Sequence, residues 1–141
     1  MGEPIFVFGT LLDPDIRAGA MGPHWRRNGA RAALFGFARR RVLGQDYPAL
    51  ARLNGAAVHG MLLPAPDRNT LARLDRHEGA EYCRHRVWVR TQTRLVLAQC
   101  YLTAPSTRLA RSGWRLDARW RRRRETYRRR QFSPASSRIT A

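Results

Sequence analysis

The apolar positions of this chain fall into short runs with two different rhythms. Ile5, Phe6, Val7 and Phe8 are apolar without interruption, which fits a short internal strand. Ala32 to Leu43 alternates loosely around Leu34, Phe35, Phe37, Val42 and Leu43, and Gly36 inside it signals a bulge or a close backbone approach. Val58 to Leu63 reads as a further short strand, ended by Pro64 and Pro66. Tyr82 to Val89 and Leu95 to Leu102 alternate with period two, and the polar Gln92-Thr93-Arg94 region joins them as a hairpin. Cys83, His85, Val87 and Val89 share one side of the first of these strands. The antiparallel pairing sets Cys83 and Cys100 toward opposite ends of neighbouring strands, so both are expected as buried thiols and not as a disulfide.

Between the strands, Leu71 to Glu78 changes to a helical rhythm. Asp67 can cap this helix, because its carboxylate can accept the free amide hydrogens of the first turn. Leu71 and Leu74 fall on one face, and Glu78 follows them at helical spacing, so its carboxylate points where the leucines point. Gly79 then ends the helix in a left-handed conformation. Glu78 is thus expected to be partly desolvated and close to the negative end of the helix dipole, and both effects favour its protonated form. Neighbouring arginines pull the other way, and a glutamate in a last helical turn is ordinarily a solvated surface residue. Near the N-terminus, Gly9-Thr10-Leu11-Leu12 is a tight turn after the first strand, and Asp13-Pro14 signals a helix start. Backbone amides in such a turn can converge on an anion. Asp15 to Gly29 looks irregular with one helical turn, and Asp46 to Leu50 reads as a loop. Strands joined by hairpins around one central helix predict an α+β fold, a small curved sheet or barrel flanked by helices.

The length of 141 residues suits one hydrophobic core. Charge changes the picture at the C-terminus. The formal net charge is +17, and all 27 basic residues are arginine, which points to a coding bias as much as to selection on charge. From Arg111 onward, eleven arginines face two acids, Asp117 and Glu125. Leu116, Trp120 and Tyr127 lie roughly on one helical face, so residues 111–130 are expected to form an Arg-coated helix on or beside a domain of residues 1–110. Residues 131–141 are expected to be a disordered tail. The basic helix either covers and solubilises the barrel or makes non-specific contact with nucleic acid. Glu3 stands where a leader would carry basic residues, and no apolar run approaches the roughly 20 residues of a membrane span, so a cytoplasmic, membrane-free protein is expected. Neither the cysteines nor His24, His59, His77 and His85 have metal-ligand spacing.

Two features stand together: the strand-Gly9-Thr10-Leu11-Leu12 turn, and Leu74-Asp75-x-x-Glu78-Gly79-x-x-Tyr82-x-Arg84 after the central helix. With Tyr47-Pro48-Ala49-Leu50, Val58-x-Gly60 and Ala98-x-x-Tyr101 between and after them, the chain resembles the gamma-glutamylcyclotransferase-like family. That family includes the plant avirulence-induced proteins and a butirosin-pathway enzyme, and the resemblance covers roughly residues 4 to 105. It implies a small mixed or antiparallel β-barrel flanked by helices, with the turn and the glutamate facing one cavity. It implies that Glu78 is the catalytic acid/base and that the amides of Gly9, Thr10, Leu11 and Leu12, next to Phe8, hold the substrate carboxylate. Tyr82 and, more loosely, Tyr47 are implied near the cavity. The family usually has Tyr where this chain has Phe8. The implied reaction converts a gamma-glutamyl amine into 5-oxoproline and a free amine, with no metal or organic cofactor; which amine leaves, and the oligomeric state, are not encoded in any motif.

Three other readings compete. Cys83 with His77 or His85 is a candidate nucleophile-base pair. The Arg121–Arg130 run, with Trp120 and Tyr127 interleaved, suits a nucleic-acid-binding module. A non-catalytic protein that binds a small acid on the same fold is the third.

Overall fold

Strand β1 (Ile5–Val7) has a partner on each edge, which is why no polar residue interrupts it. In the computed structural model, which describes residues 2–132, β1 lies between β3 (Pro48–Leu63), antiparallel, and β5 (Leu95–Thr103), parallel. Strand β4 (Tyr82–Arg90) pairs with β5 as the expected hairpin, in a register that sets Tyr82 opposite Thr103 and Arg90 opposite Leu95. Strand β2 (Ala30–Val42) forms a long hairpin with β3 and touches β4 at Ala33 and Arg90. The order β3-β1-β5-β4-β2, with β2 back on β3, closes a five-stranded mixed barrel. A sixth strand, β6 (Leu109–Gly113), hangs on the Val42 end of β2. The sequence-derived α+β barrel is thus the observed fold.

The alternation of β1 separates two layers of core. Phe6 and Phe8 point into the barrel with Leu34, Val58, Val89 and Cys100. Ile5 and Val7 point outward, under the helices, with Ile16, Met21, Leu63 and Leu74. The bulge expected near Gly36 is present: the β2–β3 register shifts between Phe35 and Phe37, and Gly36 has φ +87°. A second glycine is fixed by contact. A Cβ on Gly60 would lie 2.3 Å from the Val7 carbonyl oxygen and 2.9 Å from the Phe6 ring, because β3 crosses tightly over β1 there. Gly60→Ala is therefore expected to cost about 1–3 kcal/mol, read as a lowered urea midpoint with an unchanged slope.

Three helices pack against the barrel. Helix α1 (Pro14–Met21) starts at Asp13, whose side chain accepts from the Asp15 amide. Helix α2 spans Arg68–Glu78, and α3 spans Ala118–Phe132. The buried Arg17 of α1 joins two single 3₁₀ turns, donating to the carbonyls of Leu11 (2.9 Å), Trp25 (2.7 Å) and Arg26 (2.7 Å). The flanking turns are Thr10–Leu12 and Pro23–Arg27.

Four expectations need correction. Residues 15–29 hold most of α1 and the Pro23–Arg27 turn, not a mostly irregular stretch; their apolar contacts, Ile16, Ala20 and Met21, are masked in sequence by intervening glycines. The loop expected at Asp46–Leu50 is largely strand, because β3 is extended by its ladder with β2 as far as Pro48. Cys83 is exposed while Cys100 is buried, both as free thiols. The reason is that β4 meets β2 only at its far end, so its Cys83 end lacks a covering strand on one side. Finally, Leu116 precedes α3, which begins at Ala118, though Leu116, Trp120 and Tyr127 all pack on the core. The segment from residue 111 first completes β6, and the helix runs to Phe132; the tail expected at 131–141 lies, from residue 133, outside the described residues.

Candidate active site

Helix α2 delivers one carboxylate into the protein. Its first turn is fixed by Asp67, whose side chain accepts from the Thr70 amide at 2.7 Å. Thr70, Leu74, His77 and Glu78 form its buried face, and Gly79 ends the helix with φ +78°. The face inferred from the leucine spacing is the observed one. Glu78 is 4% exposed and has neither a hydrogen bond nor an ion pair among the described residues. Burial pushes its carboxyl well above the ordinary range, and the nearby Asp75 carboxylate adds to the shift. The expected counter-pull from arginine is missing, because Arg84 is engaged by Asp75 at 2.9 Å. Asp75 also accepts from the Tyr101 hydroxyl at 2.5 Å.

Glu78 faces the turn after β1. Phe8, Gly9, Thr10, Leu11 and Glu78 line one cleft together with Pro48 and Tyr101. The turn closes on itself through Leu12 N–H to Gly9 O (2.9 Å) and Asp13 N–H to Thr10 O (3.0 Å). The amides of Gly9, Thr10 and Leu11 therefore stand at its open end, where a helical turn has no acceptor of its own. Gly9 is needed for packing: a Cβ there would lie 2.8 Å from the Pro48 ring. Arg39 braces the start of the turn by donating to the Phe8 carbonyl at 2.6 Å. Thr10 is 2% exposed, and its hydroxyl meets the Tyr127 hydroxyl of α3 at 3.2 Å. The cleft holds only about 20 Å³, space for a single water molecule.

The structure gathers most, not all, of the candidates inferred from sequence. Leu12 turns away into a groove with His59 and Met61. Tyr47 and Tyr82 do not line the cleft. The Tyr82 hydroxyl donates to the Pro48 carbonyl (2.9 Å), bracing the wall that Pro48 forms, while the Tyr47 hydroxyl donates to the Glu81 carboxylate (3.2 Å). Burial, and next the charge of Glu78, raise the Tyr82 hydroxyl far above its ordinary value, so it stays protonated. Tyr101 lines the cleft, and Tyr127 meets the cleft residue Thr10, without either having been singled out as a substrate contact. Tyr101 carried a signal, its place in the Ala98-x-x-Tyr101 motif; Tyr127 carried only its position on an aromatic helix face, which does not say where the helix docks. The competing Cys83–His85 pair lies on an exposed part of β4, away from the cleft. Among the described residues, no three His, Cys, Asp or Glu side chains group as a metal site.

Comparison with known proteins places this geometry in context. The solution structure of an Arabidopsis thaliana protein matches with a TM-score of 0.66 and 25% identity, over 92% of this chain and 87% of that one. Bacillus subtilis YkqA matches with a TM-score of 0.65 and 22% identity, over 79% of this chain and 44% of that one. A structure described as a gamma-glutamyl cyclotransferase matches with a TM-score of 0.60 and 20% identity, over 78% and 69% of the two chains. No curated protein sequence matches significantly. The family model described as gamma-glutamyl cyclotransferase, AIG2-like, matches residues 5–122, a span that runs from β1 through both halves of the cleft into the first turns of α3. A buried glutamate facing a turn of open amides is thus set in a matching barrel, and the chain belongs to the gamma-glutamyl cyclotransferase, AIG2-like family.

Proposed function

We propose that this protein cyclises gamma-glutamyl amines, releasing 5-oxoproline and a free amine, with Glu78 as the acid/base. The observation that carries the reading is the pairing of one buried carboxylate, without a partner among the described residues, with the open amides of Gly9 to Leu11 across a shared cleft. In the substrate, the α-carboxylate is held by those amides, as an anion is held at any helical start. The α-ammonium gives a proton to Glu78, and the freed nitrogen attacks the side-chain amide carbonyl. The five-membered ring closes as the C–N bond to the leaving amine breaks; Glu78 returns its proton to the departing nitrogen, and the second proton shed by the ring nitrogen leaves with the amine as ammonium, so the protons balance. Attack within one molecule derives much of its rate from the folded pose of the substrate, for which effective molarities of about 10⁵ M are attainable. The raised proton affinity of Glu78 suits it to take a proton from an ammonium and to hand it on. The bracing of the turn by Arg39, and of Pro48 by Tyr82, keeps the two halves of the cleft in register.

The test is to incubate purified protein with a panel of gamma-glutamyl compounds that differ in the leaving amine and to measure 5-oxoproline. At least one member is expected to be consumed with equimolar release of amine. The acid limb of its kcat/KM profile is expected above the ordinary carboxylate range, because Glu78 must be ionised in the free enzyme to accept the proton. A folded protein that releases no 5-oxoproline from any member would refute the reading.

A further inference from the structure

Glu78 stands on the last turn of α2, and Asp75 ties that turn to the β4–β5 hairpin. On the hairpin, Arg84 and Tyr101 are directly opposite each other across the two strands, so their side chains share one face. Asp75 receives both. The Tyr101 hydroxyl donates to Oδ1 at 2.5 Å, and Arg84 donates through Nε to Oδ1 at 2.9 Å and through Nη2 to Oδ2 at 3.3 Å. A guanidinium fork on both oxygens fixes the orientation of the carboxylate. Tyr101 is 4% exposed and lines the cleft together with Glu78 and the Gly9–Leu11 turn. The Asp75–Tyr101 bond therefore joins the helix that carries the acid to a wall of the cleft that the acid lines.

Charge runs along the same connection. Burial raises the proton affinity of Glu78 first, and the Asp75 carboxylate adds to it. Tyr82 on β4, Cys100 and Tyr101 on β5, and Tyr127 on α3 also feel the charge of Glu78. Burial is the first cause that pushes each of them far above its ordinary range, so all four stay protonated and neutral. Asp75 is thus the charged group acting on Glu78, and Arg84 is its counter-ion.

We propose that Asp75 and Arg84 are a positioning pair for the Glu78 cleft: Asp75 holds the Tyr101 wall to the helix that carries the acid, and Arg84 fixes Asp75 and balances its charge. The proposal deepens the cyclotransferase reading and rests on it for the reaction. The two roles use different properties of one side chain. Holding the phenol needs an acceptor, which asparagine keeps; acting on Glu78 needs a charge, which asparagine lacks. Asp75→Asn removes a negative charge and leaves Arg84 unbalanced, so Glu78 binds its proton less tightly. Arg84→Gln leaves the Asp75 charge uncompensated, so Glu78 binds its proton more tightly. Both side chains are partly exposed, which keeps each effect small.

The test follows kcat/KM against pH, for the best-consumed member of the gamma-glutamyl panel, in wild type, Asp75→Ala, Asp75→Asn and Arg84→Gln. Asp75→Ala is expected to lower the plateau about three- to tenfold, the scale of one hydrogen bond, and Asp75→Asn to recover most of that loss. The acid limb is expected to move to lower pH in Asp75→Asn and to higher pH in Arg84→Gln, each changing kcat/KM about threefold at a pH on the limb. A merely structural role would not set the two limbs moving in opposite directions. An unchanged plateau in Asp75→Ala, or limbs that stay in place or move together, overturns the role of the pair and leaves the cyclotransferase reading standing. Where wild type cyclises no member of the panel, the carboxyl carbon resonance of Glu78, assigned by its loss in Glu78→Gln, is titrated in the same variants. Midpoints displaced in opposite directions then keep the pair and remove the cyclotransferase reading, and midpoints that do not diverge remove both.

Discussion

Glu78→Gln is expected to lower the rate of 5-oxoproline release by about 10²–10⁴-fold, the usual worth of a positioned acid/base, while the fold survives. Survival follows from the geometry. Glutamine has almost the same shape, and Glu78 has no partner among the described residues that the change would strand. The same variant is expected to be more heat-stable than wild type at neutral pH. Glu78 has a folded pKa raised above its ordinary 4.5, so the native state favours the proton that the unfolded chain has given up. Its contribution to stability is complete below that ordinary value and is lost as pH rises toward the folded value. Glutamine carries no such cost, so the two proteins should melt together in acid and diverge toward neutrality. A gain in stability with a loss of activity is the mark of a group retained for chemistry. Turnover within threefold of wild type would take Glu78 out of the mechanism, and an unchanged melting temperature at pH 7.5 would contradict its burial as the neutral acid.

The residue before it should behave in the opposite sense. His77 is 3% exposed, and burial lowers its pKa from 6.5 to about 4. Its folded form refuses a proton that the unfolded chain accepts below pH 6.5, so stability is lost as pH falls through this window. The full loss is about 3 kcal/mol, at about 1.4 kcal/mol for each pH unit. Glu78 gains stability over part of the same window, and adjacent residues of one helical turn therefore offset each other. Wild type is expected to show a shallow dependence of stability on pH between 7 and 5. His77→Gln should become more stable as the pH falls over that range, and Glu78→Gln should become less stable. Urea titrations of the three proteins at each pH measure these slopes, and parallel slopes in all three would show that neither shift is real.

These two residues also mark how far the chain can be read without coordinates. The rhythm of Leu71 and Leu74 places Glu78 on a buried face because helical geometry is local, and Asp67 and Gly79 bound that helix through their own backbone chemistry. The unbroken apolar run of β1 is legible for the same reason: a strand with partners on both sides has no face for water. Gly36 reads as a bulge because its conformation is its own property. Cys83 misleads, since alternation gives the side of a strand and not whether another layer covers it, and β4 is left uncovered at that end. The motif brings Tyr47 and Tyr82 close to the cleft, and the packing gives their hydroxyls separate partners, Glu81 for Tyr47 and the Pro48 carbonyl for Tyr82.

Local patterns along the chain mark the existence of the five barrel strands, though not the full length of β3, together with the buried acid of α2, the amide turn after β1 and the aromatic face of the last helix. All of these follow from periodicity or from the conformational limits of single residues, which act over a few positions. Long-range packing, by contrast, sets Arg84 on Asp75, so that among the described residues no arginine pairs with Glu78. It also decided that α3 comes to rest on Asp13 and Asp15, with Tyr127 on Thr10, 117 residues away in the chain. Contacts of that separation depend on how every intervening element packs, and no local rule of spacing encodes them.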